Sequence, residues 1–274
     1  MALDSYTPKR RELILLYGAA GRGKTRLATS LTERFGDVIY FAVDEGSEDL
    51  DSVMDKYRGR ISVIKPSFTD PLYDAAMIAS TNWKIKYPNA KTIVIDTFTS
   101  LSGRILTHAT NKGLFQSKHN SIGIPGTDSF LALSDKGDIG GTHGILKNFI
   151  VQIIEKQPEM NLILICHEYT KENDEAANEG GPATVGKALI SWLPSKFKTV
   201  IRMDVETESV IANGGLVQKT KFVARTAPHG IWIARINENS AEGNPMPKVA
   251  VNVDARNVWE MYDRFFLPKE AVNV

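Results

Sequence analysis

Short apolar-rich runs recur along the chain at residues 13–17 (LILLY), 38–43 (VIYFAV), 61–64 (ISVI), 92–95 (TIVI) and 162–166 (LILIC). Continuous runs of that length, rather than strict alternation, predict strands buried on both faces. Between them, residues 24–34, 48–57, 71–86 and 143–156 carry helical character, the last placing Ile145, Phe149, Ile150 and Ile153 on one face. Strands alternating with helices predict a parallel sheet covered by helices on both sides. After about residue 197 the rhythm changes. KTVIRMDVE, GLVQKTKFVAR and GIWIARI follow one another with short Gly-containing connections such as Asn213-Gly214-Gly215, and they predict antiparallel strands added at the sheet's edge. Residues 102–141 and 171–186 show little periodicity and predict long loops.

Composition narrows the class. With 274 residues, the chain suits one large α/β domain over 1–274, its core at about 11–236 and a C-terminal extension at about 237–274. Lys plus Arg number 33 and Asp plus Glu 32, so any polyanionic partner must be met by a local patch and not by overall charge. The one cysteine, Cys166, excludes an intramolecular disulfide framework and suits a reducing cytoplasm. The N-terminal stretch MALDSYTPKRRE lacks an apolar signal region, and no apolar run approaches a membrane span.

The chemistry is carried by Gly18-Ala-Ala-Gly21-Arg22-Gly23-Lys24-Thr25, a full match to G-x-x-x-x-G-K-[ST] between a predicted strand and a predicted helix. Glycines let backbone N–H groups turn inward around phosphates, Lys24 neutralises β/γ oxygens, and the Thr25 hydroxyl suits Mg²⁺. Arg22 and the following Arg26 belong to the same nucleotide-binding segment. ATP and Mg²⁺ are the expected cofactors. Asp96, ending the TIVID run, is expected to hold Mg²⁺ with Thr25; the alternative is that it caps the next helix. Val43-Asp44-Glu45-Gly46 places two acids at the carboxyl edge of the sheet, where Glu45 is the expected general base and Asp44 the reserve. Ser47 could instead cap a helix with an acidic first turn. His167 ends the LILIC strand, either as a γ-phosphate sensor or as a strand-end histidine that satisfies its own hydrogen bonds. Lysine at position 171 excludes the zinc motif H-E-x-x-H. Lys219, Lys221 and Arg225 share one strand face, which in isolation is most often a solvated one and would take another role only beside a neighbouring subunit's phosphate.

Taken in order, Gly18 to Thr25, Val43-Asp44-Glu45-Gly46, Ile93-Val94-Ile95-Asp96-Thr97 and Leu164-Ile165-Cys166-His167-Glu168 resemble the phage nucleotide-binding proteins with a RecA-type core, including the Sak-type single-strand annealing ATPases. Val185-Gly186-Lys187-Ala188-Leu189 and Trp192-Leu193-Pro194-Ser195-Lys196-Phe197 add to the likeness, which covers about residues 11–230. The resemblance implies a RecA-like ATPase acting on single-stranded DNA in phage recombination, annealing or replication. It further implies a homo-oligomer with ATP at subunit interfaces, a single-strand-binding or other recombination protein as a further partner, and the cytoplasm of an infected bacterium as location. By position Glu45 matches the catalytic glutamate and His167 the polar switch, while Arg225 and Lys221 resemble basic residues inserted toward a neighbour's γ-phosphate. The irregular stretches correspond to DNA-facing loops, in which Lys112, Lys118, Lys136 and Lys187 would contact phosphates and Phe115 would stack on a base. Glu172, Asp174, Glu175 and Glu179 make the second stretch acidic, a departure that favours an ATP-gated assembly or loading factor as the alternative. A small-molecule kinase is a further alternative, although no Arg-rich lid follows Asp96.

Overall fold

The structure, a computed structural model, describes residues 11–30, 32–44, 55–67, 69–115, 121–123, 130–171, 179–212, 215–226, 232–234 and 249–251. Strands β1 (Leu13–Tyr17), β2 (Asp37–Ala42), β3 (Ile61–Ile64), β4 (Ala90–Asp96) and β7 (Asn161–Cys166) fall on the five apolar runs. With β10 (Thr199–Ala212), β11 (Gly215–Arg225) and β12 (Val249–Val251) they build a sheet in the order β12-β11-β10-β1-β7-β4-β2-β3. Pairing is parallel from β3 through β10 and antiparallel between β10, β11 and β12.

Side-chain alternation sorts each central strand between two cores. Leu13, Leu15 and Tyr17 join a cluster with Phe41, Ile95 and Leu164, while Ile14 and Leu16 join a second with Tyr40, Val94 and Ile165. Helices α3 (Pro71–Ser80), α4 (Trp83–Lys86), α5 (Phe98–Lys112), α6 (Lys136–Lys156) and α7 (Lys187–Ser195) belong to the first face. The second is covered by α1 (Lys24–Ser30), with the short α2 (Thr32–Phe35) following it. This is the expected mostly parallel α/β core with antiparallel strands at its C-terminal side.

Four local readings change. The helix expected at 71–86 breaks after Ser80, because Asn82 caps a new turn by accepting from the Ile85 N–H. Residues 102–141 are not one long loop: α5 runs through 102–112 and the first turns of α6 through 136–141, with a small hairpin of β5 (Ser121–Gly123) and β6 (Phe130–Ala132) between them. The first of the expected antiparallel strands, β10 from Thr199, is parallel to β1 and antiparallel only to β11, and β12 pairs antiparallel with β11; of residues 230–236 only 232–234 are described. Within 171–186, β8 (Glu168–Lys171) pairs with β9 (Glu179–Pro182). Among the described residues no helix is long and apolar enough to cross a membrane.

Candidate nucleotide site

β1 ends in the phosphate-binding loop because its last side chain, Tyr17, is locked. Tyr17 is fully buried, and its hydroxyl donates to the Ile233 carbonyl at 2.5 Å. Gly18 follows in a place where a Cβ would strike the Met203 carbonyl of β10, so only glycine lets the loop begin there. Gly23 closes the loop at φ 76°, a left-handed conformation, and α1 starts at the next residue. Gly21 lies exposed at the loop's turn, Arg22 is half-buried and Arg26 is exposed in the first turn of α1.

Lys24 is buried, and its ammonium donates to the carbonyls of Gly18 and Ala19, both at 2.8 Å. Burial lowers its pKa, while Asp96 opposes that shift. The Thr25 hydroxyl donates to Asp96 Oδ2 at 2.7 Å, and the Tyr40 hydroxyl donates to the same oxygen. Burial raises the Asp96 pKa, against the lowering effect of those two donors. Asp96 does not cap the next helix; Thr97 does, its hydroxyl accepting from the Ser100 N–H at 3.1 Å.

The donor set fits Mg²⁺. Two hard oxygens, a hydroxyl and a carboxylate, stand 2.7 Å apart. Neighbouring ligands of an octahedral ion with Mg–O bonds near 2.0–2.1 Å lie at about 2.9 Å. Thr25 and Asp96 are the residues that would hold the ion.

A second carboxylate stands beside the first. Asp44 accepts from Thr97 Oγ1 at 3.2 Å, from the Ser100 hydroxyl, and from His167 Nε2 at 3.3 Å in its protonated form. The His167 hydrogen bond, with Ser100 and Thr97, overcomes burial and holds Asp44 at about 2. His167 is placed there by β7, the strand inserted between β1 and β4, so it stands between the loop and Asp96. Its backbone N–H donates to Thr99 Oγ1 at 2.9 Å, and that hydroxyl donates to the Ala183 carbonyl at 2.7 Å. Thus the end of β7, the start of α5 and the base of the β8–β9 hairpin share one hydroxyl.

Glu45 lies outside the described residues, as does Lys118. Arg225 donates to Asp204 at 3.0 Å and to Glu206 at 2.8 Å. Arg202 joins the same chain through Asp204 at 2.9 Å and Glu168 at 3.3 Å, with its guanidinium 4.0 Å from the Trp232 ring centroid. Partial burial alone would raise the Asp204 pKa, but the Val205 N–H and the two arginines outweigh it and lower it. Lys221 pairs with Glu208 farther out on the same strand pair.

The remaining basic candidates gather around the start of α6. Lys112 ends α5, Lys136 opens α6 and Lys187 opens α7, all exposed. Phe115, 38% exposed, lays its ring over Gly141, and His143 meets the Val185 carbonyl just before Gly186 and Lys187. The sequence reading missed Tyr40, Thr97, Thr99 and Ser100. A tyrosine inside a run destined for burial signals a hydroxyl that needs a partner, and this signal pointed to Tyr40. The three hydroxyls of residues 97, 99 and 100 were visible only as a polar start to the segment after Asp96.

A family model described as an AAA domain matches residues 10–236. The chain belongs to the AAA-domain family. It is a P-loop NTPase, and the matched span holds the loop, Asp96, His167 and Arg225. Comparison with curated proteins finds no match. Among solved structures, this AAA-domain protein is similar to the RadB recombinase at 16% identity, TM-score 0.44, covering 91% of this chain and 90% of that one. It is also similar to the P4 protein of bacteriophage phi6, solved with ADP, at 13% identity and TM-score 0.27, covering 79% of this chain and 55% of that one. Both likenesses are too distant to carry residue roles.

Proposed function

We propose that this AAA-domain protein is a Mg²⁺-dependent ATPase that works as a homo-oligomer on single-stranded DNA in phage recombination, annealing or replication. The observation that carries the ATPase reading is the Thr25–Asp96 oxygen pair beside the buried Lys24 ammonium. Mg²⁺ bound there would neutralise charge on β- and γ-phosphate oxygens. Lys24 binds the same phosphates after exchanging the loop carbonyls for phosphate oxygens. A carboxylate held near 2 by three donors is a poor proton acceptor, which supports Glu45 over Asp44 as the base and gives Asp44 the task of orienting His167.

The oligomer reading is supported by the β10–β11 pair, which leaves β1 after Arg202 and continues as a two-stranded ribbon from Val205–Phe222 to Ala212–Gly215. That ribbon extends about 24 Å and exposes Ile211 and Leu216 near its tip. A ribbon of this kind is marginal alone and gains stability against a neighbour. Lys221 is carried on it, 30% exposed, and is the better placed of the two basic candidates to enter a neighbour's site. Arg225 would first have to release Asp204 and Glu206. DNA binding is supported by Lys112, Lys136 and Lys187 around the start of α6, with the half-exposed Phe115 ring among them.

The test is anisotropy of a labelled single-stranded oligonucleotide with ATP analogue present or absent. Binding that requires the analogue and falls in a Lys112, Lys136 and Lys187 triple alanine variant is expected. A size increase on adding analogue, with no DNA binding, would replace this reading by that of an assembly or loading factor.

A further inference from the structure

One face of the β10–β11 pair is pinned against the phosphate-binding loop at both ends of that loop. Met203 and Ala224 are buried with Leu16 and Leu27, and the Met203 carbonyl closes on Gly18. The next cross-strand pair outward on the same face is Val205 with Phe222. Phe222 Cδ1 lies 3.6 Å from the position a Cβ would take on Gly23, so the ring rests on the flank of the loop's last glycine. Yet the ring is 40% exposed and belongs to neither core. Beyond it this face is polar at Thr207 opposite Thr220 and Ser209 opposite Gln218, and apolar again only at the exposed tip pair Ile211–Leu216. Among the described residues, this large ring at the edge of a phosphate cradle therefore has one side on the loop and is 40% exposed.

We propose that Phe222 is the platform on which the base of the bound nucleoside triphosphate stacks, with Val205 beside it. This rests on the ATP-site reading above and adds the part of the ligand that the loop does not hold. The loop recognises phosphates through backbone N–H groups and Lys24, a contact common to any triphosphate. Every nucleobase offers a flat π-face, and an open aromatic ring within one nucleotide's length of that cradle is the surface that would take it. Arg26, exposed and one helical turn after Gly23, carries a guanidinium plane of the kind that can cover the base's second face. The ribbon thus serves two sites. The face bearing Phe222 looks onto its own loop, and the opposite face bears Lys221.

The deciding experiment titrates wild type, Phe222→Ala and Phe222→Trp with ATP and, separately, with inorganic tripolyphosphate, both with Mg²⁺. The expected result is a Kd for ATP raised about 5- to 100-fold by Phe222→Ala, restored by Phe222→Trp, with the Kd for tripolyphosphate unchanged. Equal affinity of wild type and Phe222→Ala for ATP, with tripolyphosphate still bound, would overturn the stacking platform and leave the phosphate site standing. An equal loss for both ligands would also overturn it, since it would mark a ring that shapes the loop and not one that reads the base. Failure of wild type to bind either ligand would instead sink the ATP-site reading itself.

Discussion

The nucleotide edge and the β10–β11 ribbon start from the same strands but are held in opposite ways. At the edge, side chains are fixed from within the chain: Asp96 by Thr25 and Tyr40, Asp44 by Thr97, Ser100 and His167, Lys24 by two carbonyls. Along the ribbon, Ile211 is 82% and Leu216 72% exposed, and Lys221 has a single surface ion pair. The difference teaches that the chain prearranges its candidate phosphate site by itself, whereas the ribbon, on the proposed reading, would be completed by a neighbour. Electrostatic preorganisation suits the first, since oriented dipoles need no rearrangement at the moment of reaction. Exposed apolar surface at the second gains its stability only on contact.

Breaking the edge has the largest expected effect. Lys24→Ala should abolish nucleotide binding, checked by titration with ATP. Glu45→Gln should keep binding and slow phosphate release by about 10²- to 10⁴-fold, measured under saturating ATP. Equal turnover would move the base role to Asp44 or elsewhere.

Next comes the ion-pair chain at the root of the ribbon. Arg225→Ala removes two pairs and should cost about 1–2 kcal/mol of stability in urea unfolding, with Arg202 still facing Asp204. A loss of that size should appear at all protein concentrations, because the pairs are within one chain. Lys221→Ala, by contrast, should leave stability within about 0.5 kcal/mol, its pair being a surface one, and slow hydrolysis only at concentrations where the protein self-associates. Mixing Lys221→Ala with Glu45→Gln subunits and measuring phosphate release would show whether the two residues meet across subunits.

The smallest effect concerns pH. The folded Asp44 pKa, about 2, lies below the unfolded value, so its contribution to stability is present above about pH 4 and is lost as pH falls toward 2. Because the side chain is partly exposed, the contribution is discounted to about 1 kcal/mol, or about 2–4 °C in Tm for a chain of this size. Asp44→Asn should show a correspondingly shallower fall in Tm between pH 4 and pH 2.

What the sequence made legible follows from how much each element depends on distant contacts. β1 matches its apolar run at both ends, because a strand buried on two faces is apolar at every position, and the edge strand β3 matches its run too, although it is only half-buried and carries Ser62. The loop glycines, Thr25 and Asp96 were readable because phosphate and Mg²⁺ chemistry fixes residue type and spacing. The start of α6 was not. Gly137, Gly140, Gly141 and Gly144 erase its periodicity and each disfavours helix, but the Asp135–Asp138 capping box begins it and the Phe115 ring needs the room at Gly141. α5 hides its stripe differently: Phe98, Leu101, Ile105 and Ala109 keep helical spacing, while buried Ser102 and Thr110 blur it. Trp232 sits in a run that alternates like a strand, yet its ring is used against Arg202 and Gly180 rather than in the sheet. Asp44 shows the limit for the site. Two adjacent acids were visible, but their division of labour depends on His167, 123 residues away in sequence.

The central claim is that the edge hydrolyses ATP for work on single-stranded DNA. Its most direct test is the steady-state rate of phosphate release from ATP and Mg²⁺, with and without single-stranded DNA, against Lys24→Ala as the blank. The account predicts hydrolysis absent from the blank and raised severalfold by the DNA. A rate equal to that of the blank, or hydrolysis that the DNA leaves unchanged, would contradict it.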